Sequence, residues 1–143
     1  MKKRICAYLL LFSLLFCLTA CTITKSGWLA GDATSTPKVE EMMNAFAEKD
    51  MAEAKSLMHS QVSEGCENVL AQLMEYLDGR KTTALKQTNI SVSTTSGENE
   101  QRLEHVSYQA TLADGTIIYV NSRYLSNDGG NGFITFYFIV GVV

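Results

Sequence analysis

Two histidines, one glutamate and one cysteine are the residues of this chain whose positions could support acid–base or nucleophilic chemistry. Glu104 precedes the alternating segment Val106–Leu112 and falls on its apolar face, so it is the only acid predicted to point inward, where a carboxylate can act as a general base. His105 falls on the polar face, and His59 follows a predicted helix whose C-terminal dipole suits a histidine. Either histidine could exchange a proton near neutral pH, but a structural role is the favoured interpretation of both.

The other reactive residue types give weaker signals. Cys66 lies at the predicted start of a helix, where the pKa of a thiol can fall, but no His or Asn accompanies it, so a small buried apolar role is favoured. Asp114 and Asp128 fall in predicted turns, where aspartate bonds the backbone. The two histidines lack carboxylates or cysteines at metal-ligand spacing. We therefore expect no catalytic residues, no metal and no cofactor.

The N-terminal segment has the pattern of a secretory signal. Three cations at positions 2–4 precede the apolar run Ile5–Leu18, and small residues follow it. The stretch from Ile5 to Ala20 has 16 residues, fewer than the roughly 20 that a spanning helix needs. A cleaved signal peptide over residues 1–20 is therefore favoured over a permanent transmembrane helix.

The tetrapeptide Leu18-Thr19-Ala20-Cys21 resembles the lipobox of bacterial lipoproteins. This resemblance implies cleavage between Ala20 and Cys21 and a diacylglycerol on the Cys21 sulfur, with acyl chains such as palmitate. Two acyl chains suffice for stable membrane attachment. The expected location is a bacterial cell membrane or envelope, lipid-anchored and facing outside the cytoplasm. The alternative is an ordinary secreted protein with a cysteine at that position.

Cleavage at this point changes the charge and the thiol content of the chain. The mature part keeps nine Lys and Arg against fifteen Asp and Glu, a net charge of −6 that argues against a nucleic-acid partner. The acids concentrate in residues 38–78, which hold three cations and nine acids. We expect this part to avoid anionic lipid headgroups. Cys66 is the only free thiol left, so no intramolecular disulfide can form.

Residues 21–36 are predicted to be the lipidated cysteine and a flexible tether that is rich in Thr, Ser, Gly and Ala and contains Trp28. Three helices are predicted after this tether. The first helix should begin at Pro37 with Thr36 as its N-cap. The second should open at Asp50 with a capping-box pattern, and the third should run over residues 64–78. Methionines recur at helical spacing in this half, which favours core packing over an adaptable binding face.

Four strands are predicted in the second half, over residues 82–95, 106–112, 116–125 and 133–140. Ser96–Asn99, Asp114-Gly115 and Asn127–Gly132 carry the turn residues between them. The fold class is therefore α+β, with three helices packed on one face of a curved four-stranded antiparallel sheet. Such a sheet would enclose a cone-like hollow.

This order of elements is similar to that of the nuclear transport factor two-like superfamily, which includes ketosteroid isomerases and polyketide cyclases. The local match is Glu48–Met58, a charged corner before a short helix, and the resemblance covers residues 37–143. Small lipoproteins carrying such a domain are the nearest parallel. Gly132-Phe133-Ile134 departs from the family's usual Gly-Lys-Trp-like turn, and the hairpin before the third helix is missing.

The resulting functional expectation is a membrane-anchored domain that binds a small ligand or a protein without catalysis. One alternative is a cyclase- or isomerase-type enzyme acting in the cone, which would need a buried carboxylate or histidine there. Another is an interaction protein that neutralises a toxin or supports envelope assembly. A filled hollow together with an exposed apolar sheet would favour that last alternative.

The last strand also predicts a homodimer through the sheet. Residues 133–140 are apolar in both alternating positions, so the face away from the helices would show either Phe133, Tyr137 and Ile139, or Ile134, Phe136 and Phe138. With apolar residues of the preceding strand, these would form a patch larger than a monomer usually exposes. Folding of Trp28 and the tether over that face is the alternative.

Overall fold

The computed structural model describes residues 22–26 and 33–140, which form an α+β fold. The predicted signal peptide, the predicted lipidation site Cys21, and Trp28 lie outside these residues. The elements, in chain order, are β1 (Thr22–Ser26), α1 (Thr36–Glu48), α2 (Met51–Ser56), α3 (Glu67–Leu77), β2 (Thr82–Thr95), β3 (Gln101–Leu112), β4 (Ile117–Asn127) and β5 (Gly130–Val140). Within the described ranges, no helix has both the length and the apolar character needed to cross a membrane.

The sheet is antiparallel throughout, with strand order β1-β2-β3-β4-β5. The four predicted strands are confirmed as β2–β5, and the predicted turns connect them. The fifth strand, β1, was not predicted. It pairs with β2 from Thr22↔Thr95 to Ser26↔Ser91 and lies in the segment predicted to be a flexible tether. Its Thr-Ile-Thr sequence has β-propensity, and β2 offered an open edge.

Hydrogen bonds and backbone conformation at the helix termini explain where the helices begin and end. The side chain of Asp50 accepts a hydrogen bond from the Glu53 backbone N–H at 2.9 Å, which confirms the predicted N-cap of α2. Lys49 takes a left-handed conformation with φ of 58° and ends α1. α1 begins at Thr36 with Ser35 as N-cap, one residue before the prediction, and α3 begins three residues after it, at Glu67.

A continuous apolar core joins the helices to one face of the sheet. Phe46 of α1 packs edge-to-face on Phe136 and Phe138 of β5, with ring centroids 5.6 and 6.0 Å apart. Phe133 continues the aromatic cluster between Phe136 and Tyr124. The predicted core methionines Met42, Met43 and Met74 are buried. Side chains therefore fill the space between helices and sheet.

A β-bulge in β5 decides which of its side chains face the core. Arg123 pairs with Thr135 and Tyr124 pairs with Phe133, so Ile134 is an extra residue. Phe133 and Phe136 are both buried as a result, although three positions separate them. Strict alternation, from which the two predicted outward sets were drawn, is therefore wrong for this strand.

Candidate functional site

The buried carboxylate of Glu104 holds the segment before α1 against β3. Its Oε2 accepts from the Ser35 backbone N–H at 3.0 Å, and its Oε1 accepts from the backbone N–H and the hydroxyl of Thr34. Arg102 donates to Oε1 from Nε at 3.1 Å and from Nη2 at 2.8 Å. The prediction that Glu104 points inward is confirmed, and its carboxylate accepts five hydrogen bonds.

This environment keeps Glu104 ionised. Burial alone would raise the pKa of Glu104, but hydrogen bonds from Ser35, Thr34 and Arg102 outweigh it and lower the pKa to about 2. A general base operating near neutral pH needs a pKa raised towards that pH. The carboxylate therefore suits a structural anchor better than the base of an isomerase.

Tyr108 is a second side chain of β3 that bonds the start of α1. Its hydroxyl hydrogen-bonds the Thr36 hydroxyl at 3.0 Å, and burial raises the pKa of the phenol. Tyr108 is completely buried, so its ring is part of the packed core. An isomerase-like site would need this phenol to face a free cavity beside a protonatable carboxyl group. Here the carboxylate of Glu104 is ionised and the phenol bonds a helix terminus.

His59 locks the loop after α2 onto the start of β5. Its backbone N–H donates to the Phe133 carbonyl at 2.9 Å, and its Nδ1 accepts from the Gln61 backbone N–H at 3.2 Å. Nε2 lies 3.1 Å from Asn127 Oδ1. Because Nδ1 accepts, the ring proton sits on Nε2 and bonds Asn127. The imidazole is buried and both nitrogens are used, which agrees with the favoured structural interpretation.

Glycine at position 132 makes this packing feasible. A Cβ there would lie 2.4 Å from the backbone nitrogen of His59 and 2.7 Å from the carbonyl carbon of Met58. The two segments touch backbone to backbone, since Phe133 N–H also donates to the Leu57 carbonyl at 2.9 Å. β5 is an edge strand of the sheet. Residues 57–59 thereby cover the N-terminal part of its free edge.

Cys66 lies at the N-cap of α3 beside an open groove. Its thiol donates to the Ser63 carbonyl at 3.2 Å and is buried. Burial raises the pKa of the Cys66 thiol, with the Glu67 charge adding to the effect, so the possibility that the helix terminus lowers it is wrong. The residue behaves as the small apolar group that the sequence favoured.

The groove beside Cys66 was not predicted. It has a volume of about 430 Å³ and lies between the loop after α2, the first turn of α3 and β5. Met58, Val62, Leu70, Ile134 and Phe136 supply most of its apolar wall. The sequence gives little signal for it, because its walls come from three separate segments that the β5 bulge brings together.

The outer face is the side of the sheet away from the helices. Because paired residues of neighbouring strands share a face, the registers show which residues of β2–β5 lie on it. They include Ala84, Lys86, Asn89, Ser91, Ser93, Thr95, Gln101, Leu103, His105, Ser107, Gln109, Thr111, Ile117, Tyr119, Asn121, Arg123, Leu125, Asn127, Thr135, Tyr137 and Ile139. Its exposed large apolar residues are Ile117, Tyr119, Tyr137 and Ile139, which we call the outer patch.

The outer patch differs from both predicted sets. Tyr137 and Ile139 are exposed as in the first set, but Phe133 and Phe136 are fully or nearly fully buried, and Ile118 and Val120 face the core. His105 is exposed on the outer face beside Arg123, as its polar alternation predicts. Ser91, Ser93 and Leu103 join these two residues around a shallow depression of about 380 Å³.

The remaining candidates have local roles. Asp114 Oδ1 accepts from the Thr116 N–H at 2.9 Å in the β3–β4 turn, and Arg80 lies 3.1 Å from its other oxygen. These bonds hold the pKa of Asp114 at about 2. Asp128 is exposed in the next turn. Across the described ranges, no group of three or more His, Cys, Asp or Glu could hold a metal ion.

The chain matches no protein-family model, and comparisons with curated proteins and with solved structures find no match either.

Proposed function

We propose that this chain is a bacterial lipoprotein, anchored outside the cytoplasm through acylated Cys21. The support is the sequence pattern itself: cations, an apolar run of limited length and the tetrapeptide Leu18–Cys21. The first described residue, Thr22, follows Cys21 directly. The folded domain would therefore begin next to its lipid.

Metabolic labelling tests the anchor. Cells expressing the full chain are grown with radioactive palmitate, and the wild type is compared with Cys21→Ala and with the control Cys17→Ala. We expect label in the wild type and in Cys17→Ala, and none in Cys21→Ala. Equal labelling of all three chains, or a wild-type protein released unlabelled into the medium, would contradict lipidation at Cys21.

For the domain, we propose a nuclear transport factor two-like architecture with a curved, cone-like sheet. Bulges in β2, at the register shifts Thr82/Ala84 and Gln87/Asn89, and the bulge at Ile134 in β5 support this, because bulges bend and twist strands. The interior of this cone is occupied by Tyr108 and its neighbours. A ligand site of the family's usual kind would therefore be closed in this chain.

We propose that the domain binds a small apolar ligand in the groove beside Cys66, without catalysis. The observation that carries this is the groove itself, whose volume of about 430 Å³ and apolar walls fall in the range of small-molecule sites. The acid–base candidates support a non-catalytic role. Glu104 is ionised and fully bonded, His59 uses both nitrogens, and His105 lies on the opposite face of the sheet.

Native mass spectrometry tests the groove. The chain from Thr22 contains every described element, and we expect it to fold as described. We expect this chain to retain a co-purifying small molecule. Val69→Glu, at a half-exposed position of the groove wall, should lose it, and Ala71→Glu, on the same helix outside the groove, should keep it. Retention by both variants, or a ligand-free wild type, would contradict the proposal.

An interaction role in the envelope, such as toxin neutralisation, is the second candidate. It is favoured by a filled interior combined with the exposed outer patch of Ile117, Tyr119, Tyr137 and Ile139. Failure of the groove experiment would leave this function as the better supported one.

A further inference from the structure

The outer face is acid-free, although the chain as a whole is acidic. Among the residues that strands β2–β5 place on it, Lys86, His105 and Arg123 are basic and none is acidic. Neither Lys86 nor Arg123 forms an ion pair within the described part of the chain. Glu104, the only acid on strands β2–β5, points to the other side.

We propose that the outer face docks onto the surface of an anionic lipid bilayer, the same bilayer that holds the Cys21 anchor. This rests on the lipoprotein proposal for its setting, but the surface chemistry is a separate property of the sheet. Lysine and arginine near an anionic bilayer are each attracted by phosphate headgroups. Arg123, on β4, can donate several hydrogen bonds to phosphate.

The apolar residues on this face suit the same partner. Tyr119 and Tyr137 are 40% and 42% exposed, and Ile117 and Ile139 are 45% and 51% exposed. Tyrosine is enriched at the level of lipid headgroups, because its ring is apolar and its hydroxyl is polar. The outer patch would enter the interface, and the cations would bind headgroups around it.

The acidic helices are separated from the face by the thickness of the sheet. A helix is about 10 Å across with its side chains, so acids on the solvent side of the helices lie more than one Debye length at 0.1 M salt from the outer face, and their repulsion of a bilayer there is weakened. The nearest acids lie in the turns at the ends of the face. Asp114 is paired with Arg80, and Glu98, Glu100 and Asp128 are at the opposite end from the outer patch.

The position of the anchor supports docking parallel to the bilayer. β1 is at one edge of the sheet, and its first residue pairs with Thr95 next to the β2–β3 turn. The outer patch is on β4 and β5, at the other edge and towards the other end of the sheet. A lipid at Cys21 and apolar contacts at the outer patch would hold the face at two opposite corners.

The competing occupant of the outer face is a second copy of the chain, as in the homodimer that the sequence predicts. Two outer faces in contact would bring the cations of one face towards the cations of the other, with no acid on either face to compensate. An anionic bilayer supplies the missing charge. The charge pattern therefore favours lipid over a second copy.

Vesicle co-sedimentation of the chain from Thr22, which carries no lipid, tests the proposal. We expect binding to vesicles containing phosphatidylglycerol, weaker binding to pure phosphatidylcholine, and loss of the difference at high salt. Lys86→Gln/Arg123→Gln should weaken binding to anionic vesicles roughly 25-fold, since each cation near such a surface contributes about fivefold. The matched control Lys38→Gln/Lys49→Gln removes the same charge from α1 and its C-cap and should bind within about twofold of wild type.

The outer patch is tested separately with Tyr119→Ser/Tyr137→Ser, which should reduce binding to both vesicle types. Equal weakening by the two charge variants would overturn the proposal, as would binding that ignores lipid charge. Light scattering at micromolar concentration tests the dimer. A stable dimer that the tyrosine variant abolishes, and that does not bind vesicles, would assign the face to a second copy. Because the chain carries no acyl group, these outcomes are independent of the palmitate result.

Discussion

At the scale of single residues, Glu104 shows how a buried charge can be structural. Its carboxylate joins Thr34 and Ser35, about seventy residues earlier in the chain, to β3 and to Arg102. A free buried carboxylate would be costly, but donors surround this one. It fixes the N-cap residue of α1 by accepting the Ser35 N–H, although the Ser35 side chain makes no cap hydrogen bond.

Replacing Glu104 by Gln should lower the free energy of unfolding at pH 7 by about 3 kcal/mol. The pKa falls from 4.5 to about 2 on folding, and each unit corresponds to about 1.4 kcal/mol. Urea denaturation of the chain from Thr22 measures it. Glu100→Gln, at an exposed position before the same strand, is the control and should change stability by less than about 0.5 kcal/mol.

The contribution of Glu104 to the free energy of unfolding should depend on pH, and it should fall as the pH falls. A carboxylate whose pKa is lowered by folding stabilises the fold above its unfolded pKa and loses that effect as pH falls towards the folded value. The stability difference between wild type and Glu104→Gln should therefore shrink between about pH 5 and pH 2. A difference that stays constant over this range would show that Glu104 acts by packing alone.

The thiol of Cys66 should react slowly. Its raised pKa and its burial both reduce the thiolate available to Ellman's reagent. At pH 8 we expect modification at least roughly tenfold slower in the folded chain than in urea. Cys66→Ala/Ser96→Cys moves the thiol to an exposed turn and should react at the unfolded rate. Fast labelling of native Cys66 would instead indicate a reactive site.

At the scale of elements, the contact between the loop after α2 and β5 shapes the groove. Residues 57–59 bond Phe133 on both its N–H and its carbonyl, which fixes the position of Met58 in the groove wall. Gly132 permits the approach. The contact between this loop and β5 therefore depends on glycine at position 132.

Gly132→Ala should destabilise the domain by about 3 kcal/mol, at the upper end of the range for overpacking, because the clash is with backbone. It should also reduce ligand retention in the groove. Asn131→Ala, one residue earlier and exposed, is the control and should be near neutral. Chemical denaturation of both variants checks this, and equal stabilities would contradict the close contact.

The features that depend on local chemistry could be predicted from the sequence. The features that depend on long-range contacts could not. The caps at Asp50 and the turn at Asp114 follow from side chains that bond their own neighbours, so a short stretch of sequence suffices. The bulge at Ile134 depends on the pairing of β5 with β4 and on the loop that covers it. It reverses the alternation, which is why the exposed face of β5 and the groove could not be derived from the pattern.

At the scale of the whole molecule, the segment before α1 belongs to the folded unit. Ala33 and Ser35 are buried, and the Ala33 N–H donates to the Gln87 side chain at 2.9 Å. Periodicity alone placed the start of the domain at Pro37, since residues 33–36 have no apolar repeat. In the proposed lipoprotein, the chain between the lipid at Cys21 and the packed domain would accordingly be short, and the sheet would lie close to the bilayer.

Truncation tests how far this segment supports the fold. A chain beginning at Ala33 keeps every bond to Glu104, whereas a chain beginning at Thr36 loses those from Thr34 and Ser35. Both lack β1, so they form a matched pair. We expect the shorter chain to be less stable by about 2 kcal/mol, because a buried charge loses donors. Glu104→Gln should then cost less than half as much in the shorter chain as in the longer one, since the two changes remove the same interaction. Equal costs of Glu104→Gln in the two chains would show that Arg102 alone stabilises the carboxylate, and residues 33–35 would then be dispensable to the fold.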